Sequence, residues 1–487
     1  MLHKLSKVGI FCGGLILCVP MAGAQEPSSR PQKPIPPASS EDNRSEALQA
    51  DEGTLATREP KIIPDSRPLA GAQNLTLGTI ALDHSFLLPS FSVVTQVGTN
   101  SNNYGPSNGT GVQSTSFLIG RLGLNRTSGR SELMLDYLGG GTLSNNQTQG
   151  NSVIQGLTMS DTIRSGRWSL LFGDDFSYLS ESSFGFGGLG GLGFLGIGSG
   201  SGVGGEFGSN PSFRPDLLPN QTILTNRAPR ISNTAVIQTD YALNRGSSVT
   251  FLGSYEILKF IDAGFFNSGD AVFQAGYNHT LSRKDSVSIF YRFSAFTFSN
   301  ISQGIDDHDV QLTYARQIAG RVSFQIGGGP EISTFQTPLP GSGTRLNWTI
   351  ASALNYQFRK TTVGFNFNRG LTGGSGILQG AETNQFQGLL SRSLTRNWDG
   401  ALTSGFSRNQ ALRQTNPAAS IIAPDAWFLT ARVGRRFARS GSLFFDYTAR
   451  RQSNIPSSST FSAHGVHSLT HMVSVGYTWG IRPIVIE

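Results

Sequence analysis

Leu346 to Arg369 reads LNWTIASALNYQF over 346–358, RKT over 359–361 and TVGFNFNR over 362–369. Leu346, Trp348, Ile350, Leu354, Tyr356 and Phe358 share one parity, and Asn347, Thr349, Ala351, Ala353, Asn355 and Gln357 share the other. A strand sends alternate side chains to opposite faces, so this segment has one apolar and one polar face. After a very short turn the alternation resumes, with Val363, Phe365 and Phe367 set against Gly364, Asn366 and Asn368. The unit is a β-hairpin about ten residues tall, the height at which a tilted strand crosses a bilayer.

Most of the chain after residue 86 repeats that unit. Strands are predicted near 90–98, 113–125, 131–142, 152–164, 168–179, 231–243, 248–260, 270–281 and 286–299. They continue near 307–318, 322–334, 346–358, 361–372, 385–394, 399–410, 426–437, 442–453 and 467–480. This makes about eighteen strands. The alternation is weakest at 90–98 and 385–394, and without them the number is sixteen. The connections alternate between short turns, such as Asn244-Arg245-Gly246-Ser247 and Ser282-Arg283-Lys284-Asp285, and long loops such as 99–112, 180–230 and 454–466. The short turns fall on one rim together with both chain ends, as an even-stranded meander requires.

Composition agrees. The 487 residues include 60 glycines, 10% aromatics and only 14% charged residues, which suits a β-rich chain with few exposed helices. Outside the N-terminus there is no run of eighteen apolar residues, so helical spans are not expected. The net charge of +7 is spread thinly, and no basic run is dense enough to suggest nucleic acid.

Residues 1–24 have the form of a secretory signal peptide. Lys4 and Lys7 precede the apolar run Val8 to Val19, and Ala22-Gly23-Ala24 fits a cleavage site before Gln25. Both cysteines, Cys12 and Cys18, lie in this segment, which leaves a mature chain without thiols. Residues 25–85 are rich in Pro, Ser and charge and poor in aromatics. They are expected to be a disordered periplasmic segment, either a tether or a passive linker. The barrel is expected over 86–481, with 180–230 a long Gly-rich loop and 482–487 a C-terminal tail.

Ser474-Val475-Gly476-Tyr477-Thr478-Trp479-Gly480-Ile481 resembles the assembly signal of Gram-negative outer-membrane β-barrel proteins, with Ser474, Gly476, Trp479 and Ile481 in the matching positions. The pattern departs from that family in its aliphatic last position and in the tail that runs on past it. The resemblance implies an all-β, transmembrane antiparallel up-and-down β-barrel in the bacterial outer membrane, with a porin-like layout. It also implies outer-membrane lipids, the barrel-assembly machinery and small solutes as partners, and a homotrimer as one possible assembly.

Candidate lumen residues follow from parity. Acidic candidates are Glu132, Asp136, Asp240 and Glu256 on early strands; basic candidates are Arg292, Arg316, Arg408, Arg432, Arg436 and Arg450 on later ones. Asp309 and Asp446 break that separation. The separation suggests a transverse field across the lumen, with mild anion preference because arginines outnumber carboxylates. In classical porins, to which the layout is similar, the third loop folds into the pore. Here that loop is 180–230, with Phe184, Phe186, Leu189, Leu192 and Phe194 as constriction candidates. The reading is a passive diffusion channel for polar solutes; the alternatives are a transporter of hydrophobic solutes or a closed structural or adhesive barrel.

No catalytic, cofactor or metal site is expected. Gly185-Phe186-Gly187-Gly188-Leu189-Gly190 matches GxGxxG but lies in a glycine run without the strand and helix a dinucleotide site needs. His464, His467 and His471 precede the last strand near Ser468 and Asp446. By parity His467 and His471 point outward and Ser468 inward, so they form no catalytic dyad.

Overall fold

The computed structural model describes residues 62–63, 79–80, 85–99, 112–145, 151–179, 229–261, 266–299, 303–318, 321–336, 343–373, 378–412, 425–437, 440–453, 468–481 and 484–486. The first two segments are a short antiparallel pair, β1 (Ile62–Ile63) and β2 (Thr79–Ile80). The next strands are β3 (Phe86–Thr99), β4 (Val112–Ser128), β5 (Ser131–Ser144), β6 (Ser152–Ser165), β7 (Trp168–Leu179) and β8 (Arg230–Ala242). They are followed by β9 (Ser247–Phe260), β10 (Ser268–Thr280), β11 (Asp285–Phe298), β12 (Gln303–Ile318), β13 (Val322–Phe335) and β14 (Thr344–Phe358). The last are β15 (Thr361–Thr372), β16 (Ala381–Ser393), β17 (Trp398–Ala411), β18 (Asp425–Phe437), β19 (Gly441–Ser453), β20 (Ser468–Gly480) and β21 (Ile484–Val485).

Strands β3 to β20 form a closed antiparallel barrel of eighteen strands, each paired with its chain neighbours and the last with the first. This decides between eighteen and sixteen: both weak segments are full strands. Closure removes the sheet edges, so every wall strand has a ladder on both sides. The tail is not free of the barrel, because Ile484 and Val485 pair with Leu87 and Phe86.

The short turns are built for hairpins. Gly129-Arg130 and Gly166-Arg167 each join strands whose last paired residues are directly opposite, and both glycines have positive φ, 54° and 59°. A two-residue hairpin loop needs that left-handed conformation for its twist to match the strands.

Parity separates the two faces. Leu346, Trp348, Ile350, Leu354, Tyr356 and Phe358 of β14 are exposed on the outside, while Thr349 and Ala353 are buried inside. Aromatic side chains gather at two heights of the outer wall. Trp168 packs on Tyr241 with ring centroids 4.5 Å apart at the short-turn rim, where Arg435 also lies over Trp398 and Phe437. Trp427 marks the other height, and nearer mid-wall Tyr447 bonds to His471 Nδ1 at 2.8 Å. Ten residues separate Trp427 from Phe437 on β18. At about 3.3 Å per residue and a tilt of about 40°, they span about 25 Å, the height of an outer-membrane apolar band. Asp174 interrupts this apolar outer surface. It shares the parity of Phe172 and Phe176 and accepts a hydrogen bond from Asn233 Nδ2 at 3.1 Å.

Candidate functional site: the lumen wall

The inner face is largely polar. Cross-strand hydroxyls bond in pairs along it: Ser92 Oγ to Thr478 Oγ1 at 3.0 Å, Ser177 Oγ to Ser232 Oγ at 2.6 Å and Thr430 Oγ1 to Thr448 Oγ1 at 2.9 Å. In water such pairs add little; where lipid is excluded they keep the inner wall satisfied and hydrated.

Most of the predicted lumen charges have inward parity. Asp136 pairs with Arg121, one bond being Nε to Oδ1 at 2.7 Å. Arg292 pairs with Asp309. Arg432 grips Asp446 through Nε–Oδ1 at 2.6 Å and Nη2–Oδ2 at 2.7 Å. Asp240 accepts from Gln238 Nε2 at 2.7 Å and from Thr250. Glu256 stands directly opposite Asp270, and Arg450 opposite Phe428 and Thr470, all on inward positions. Glu132 and Arg436 also have inward parity, but at the short-turn rim, where Glu132 lies 3.5 Å from Arg164.

Two predicted lumen residues are corrected. Arg316 shares the outer face of β12 with the exposed Val310 and Leu312, and lies 3.6 Å from Asp285. Arg408 shares the outer face of β17 with Leu402 and Phe406, and lies 3.7 Å from Asp425. Both sit at strand ends. Their own parity is outward, and at a strand end an outward arginine can reach water past the apolar band.

The charge pattern differs accordingly from two facing halves. Arginines Arg121, Arg292 and Arg432 are each matched by a carboxylate one strand away. The acidic surplus collects on β9–β13, with Glu256 on β9, Asp270 on β10, Asp307 and Asp309 on β12 and Glu331 on β13, against Arg292 on β11. Asp175, Asp270, Asp307 and Glu331 were missing from the predicted set. Their inward parity in the sequence was the signal that could have found them. The expected anion preference loses its basis, since it rested on an arginine excess.

The wall also carries an apolar strip. Val94, Phe117, Ile119, Leu138, Ile154 and Phe444 pack together with inward parity. Phe444 lies over Gly476, filling the space a side chain there would need, and Arg432 stacks 4.7 Å from its ring.

Between β14 and β15 the wall is irregular. Their ladder runs from Phe358↔Thr361 only as far as Ile350↔Arg369. Above it, Thr344–Thr349 keep their β13 partners and Gly370–Thr372 keep their β16 partners. Side chains sew the seam: Leu371 N–H donates to Glu331 Oε1 at 3.0 Å, Asn347 Nδ2 to Glu382 Oε2 at 3.1 Å, and Arg345 Nη1 to the Leu412 carbonyl at 3.2 Å. Arg369 pairs with Glu382.

Of the assembly-signal positions, Ser474 and Gly476 face inward, and Trp479 and Ile481 outward. The constriction candidates Phe184, Phe186, Leu189, Leu192 and Phe194 lie outside the described residues, as do His464 and His467. Asp446 points inward and His471 outward, so these two do not converge. Among the described residues, no group of three or more His, Cys, Asp or Glu is arranged to hold a metal ion.

Fold and wall together define a class, the even-stranded antiparallel transmembrane β-barrel of the Gram-negative outer-membrane type. No protein-family model matches the chain, and no curated protein matches it. Solved structures similar to it include three from Pseudomonas aeruginosa. OccK2 (OpdF) in complex with glucuronate has 10% identity and a TM-score of 0.42, over 81% of this chain and 98% of that one. OccK5 (OpdH) has 12% identity and a TM-score of 0.40, over 82% and 99%. OpdK with vanillate has 8% identity and a TM-score of 0.38, over 81% and 98%.

Proposed function

We propose that this protein is an outer-membrane channel through which small polar solutes diffuse passively. The observation that carries this reading is the polarity of the inner wall. Hydroxyl pairs and carboxylate–arginine pairs line a closed barrel whose outer face is apolar. Such a wall keeps water in the lumen, and solutes are selected by size and by charge with no covalent step. The short-turn rim faces the periplasm in this reading. Single-channel recording of the purified protein in a planar bilayer tests it. Stepwise currents that scale with salt concentration are expected; a protein that inserts as a folded barrel and passes no current refutes it.

A second reading, transport of hydrophobic solutes, is favoured by the apolar strip from Val94 to Phe444. It differs in outcome: such a barrel passes little ion current and takes up an apolar fluorescent probe that Phe117→Ser weakens.

A further inference from the structure

On the outer wall of β17–β19, two arginines stand at the long-loop edge of the apolar band, the height that Trp427 marks. Arg451 of β19 is directly opposite Trp427 of β18. Arg408 of β17 is directly opposite Asp425, two residues further along β18. Both arginines have outward parity, Arg451 with Phe445 and Tyr447, and Arg408 with Leu402 and Phe406. With strands about 4.8 Å apart and residues about 3.3 Å apart, their Cα atoms are about 12 Å from each other, one on each side of Trp427. Towards mid-wall the same face is apolar, with Phe406, Leu429 and Val433 exposed.

Several arginines of the wall are engaged by the protein itself. At the short-turn rim Arg435 lies over Trp398 and Phe437, and Arg316 lies near Asp285. At the long-loop end Arg369 is paired with Glu382. Arg451 differs: it is exposed and, among the described residues, has no hydrogen-bond, ion-pair or ring partner. Arg408 has its Nε 3.7 Å from Asp425 Oδ1, and 56% of its side chain remains exposed. A single arginine at the edge of the band reaches past it into water. Two of them flanking an exposed tryptophan make a surface with more content. The guanidinium fork matches phosphate oxygens, and the indole ring, apolar with one N–H, suits the level between acyl chains and headgroups.

We propose that this patch binds a phosphorylated glycolipid of the outer leaflet. Arg408 and Arg451 hold phosphate oxygens, Trp427 lies against the sugar, and acyl chains run down over Phe406 and Leu429. The proposal rests on the orientation in the channel reading, which puts the long-loop rim outside. It goes beyond that reading because it concerns the lipid side of the wall. Depth and charge choose the occupant: the cations stand where the apolar band ends and anionic headgroups begin. Arg451 contributes more than Arg408, whose charge Asp425 partly offsets. Lys259 of β9 is the internal comparison. It is outward and exposed at the same end, opposite Ile231, and no described residue of β8 or β10 adds a second outward cation there.

The test titrates the purified protein in mild detergent with diphosphorylated lipid A and counts retained lipid by native mass spectrometry. Lipid A stripped of its phosphates and phosphatidylglycerol are the comparison lipids. The diphosphorylated form should be retained at concentrations at which the other two are not. Arg451→Ala should weaken its affinity about tenfold, and Arg408→Ala less. The double variant should lose saturable binding, while Lys259→Ala should keep the parental affinity. Gel mobility of unheated samples checks that each variant is folded. If the double variant does not fold, Arg451→Gln takes its place, and the comparison of lipids needs no variant at all. Equal retention of the stripped lipid overturns the role of the phosphates. Equal retention of phosphatidylglycerol reduces the patch to a general interfacial cation pair and overturns the glycolipid. A folded double variant that binds like the parent overturns the location. Labelling of short-turn cysteines on whole cells would put the patch in the inner leaflet and overturn it as well. Glycolipid binding by a barrel that passes no current refutes the channel reading and leaves this site standing; current without binding does the reverse.

Discussion

The Arg432–Asp446 pair gives the sharpest energetic prediction. Both side chains are buried on the inner wall, with 7% and 1% of the side chain exposed. Two nearly parallel hydrogen bonds join them, and the Phe444 ring stacks on the guanidinium. With charge centres about 4 Å apart and an effective dielectric of about 20, the attraction is about 4 kcal/mol. Removing one partner strands the other charge, which typically costs about 3–5 kcal/mol. Arg432→Gln alone should therefore destabilise the barrel by about that amount. Arg432→Gln with Asp446→Asn, which leaves two amides able to bond each other, should be less destabilised than the single variant. The assay is urea unfolding in lipid vesicles, followed by tryptophan fluorescence and by the gel mobility of unheated samples. Additive costs in the double variant would show that the two groups are not coupled. A single-variant cost well below about 1 kcal/mol would show a lumen wet enough to screen the pair as on an open surface.

Other predictions follow from the two faces and rims. Single cysteines near Arg245 and Lys284 should resist an impermeant thiol reagent on whole cells while those near Asn102 and Gly341 react; the reverse pattern inverts the topology. Ile350→Arg, on the outer wall near mid-height, should impair assembly or cost about 2–4 kcal/mol. Ala351→Arg should be better tolerated because it enters the lumen, and equal damage from both would remove the assignment of faces. Arg316→Ala and Arg408→Ala should leave the reversal potential in a salt gradient unchanged, since both side chains are outside; a shift would return them to the pore.

The barrel was legible because its signal has period two and repeats. Each strand carries its own copy of the pattern in Leu346–Phe358, and one strand's parity predicts its neighbour's face through the register. The connections added a second, independent signal, since short turns such as Asn244–Ser247 and Ser282–Asp285 alternate with long loops. Charges were less legible, because an arginine can stand on the outer face that its parity gives it, as Arg316 does beside Leu312 and Arg408 beside Phe406. Arg316 and Arg408 at strand ends are outside, while Arg432 in mid-strand is inside and paired. Partner choice was not legible at all. Arg121 meets Asp136 because the β4–β5 register sets Arg121 two residues along from the position opposite Asp136, and single-strand patterns do not encode that offset.

The β15–β16 hairpin shows where the same reasoning stops. Its first strand was predicted at 361–372 and its second at 385–394; the observed second strand begins four residues earlier, at Ala381. Those extra residues, Ala381 to Asn384, pair with Arg369–Thr372 of β15 and with Arg408–Ala411 of β17. Local alternation assigns Leu371 to the lipid side, yet it is packed among Phe296, Phe298 and Ile305. What overrides it is non-local: a carboxylate on β13 that takes the place of a β14 carbonyl, Gly380 at φ 78°, and a pocket contributed by Phe335 on β13, Ile305 on β12 and Phe296 and Phe298 on β11, two to four positions round the barrel. None of these has a period. A wall is specified by repetition, but an element that leaves the wall is specified by single residues, each of which reads as unremarkable in its own strand.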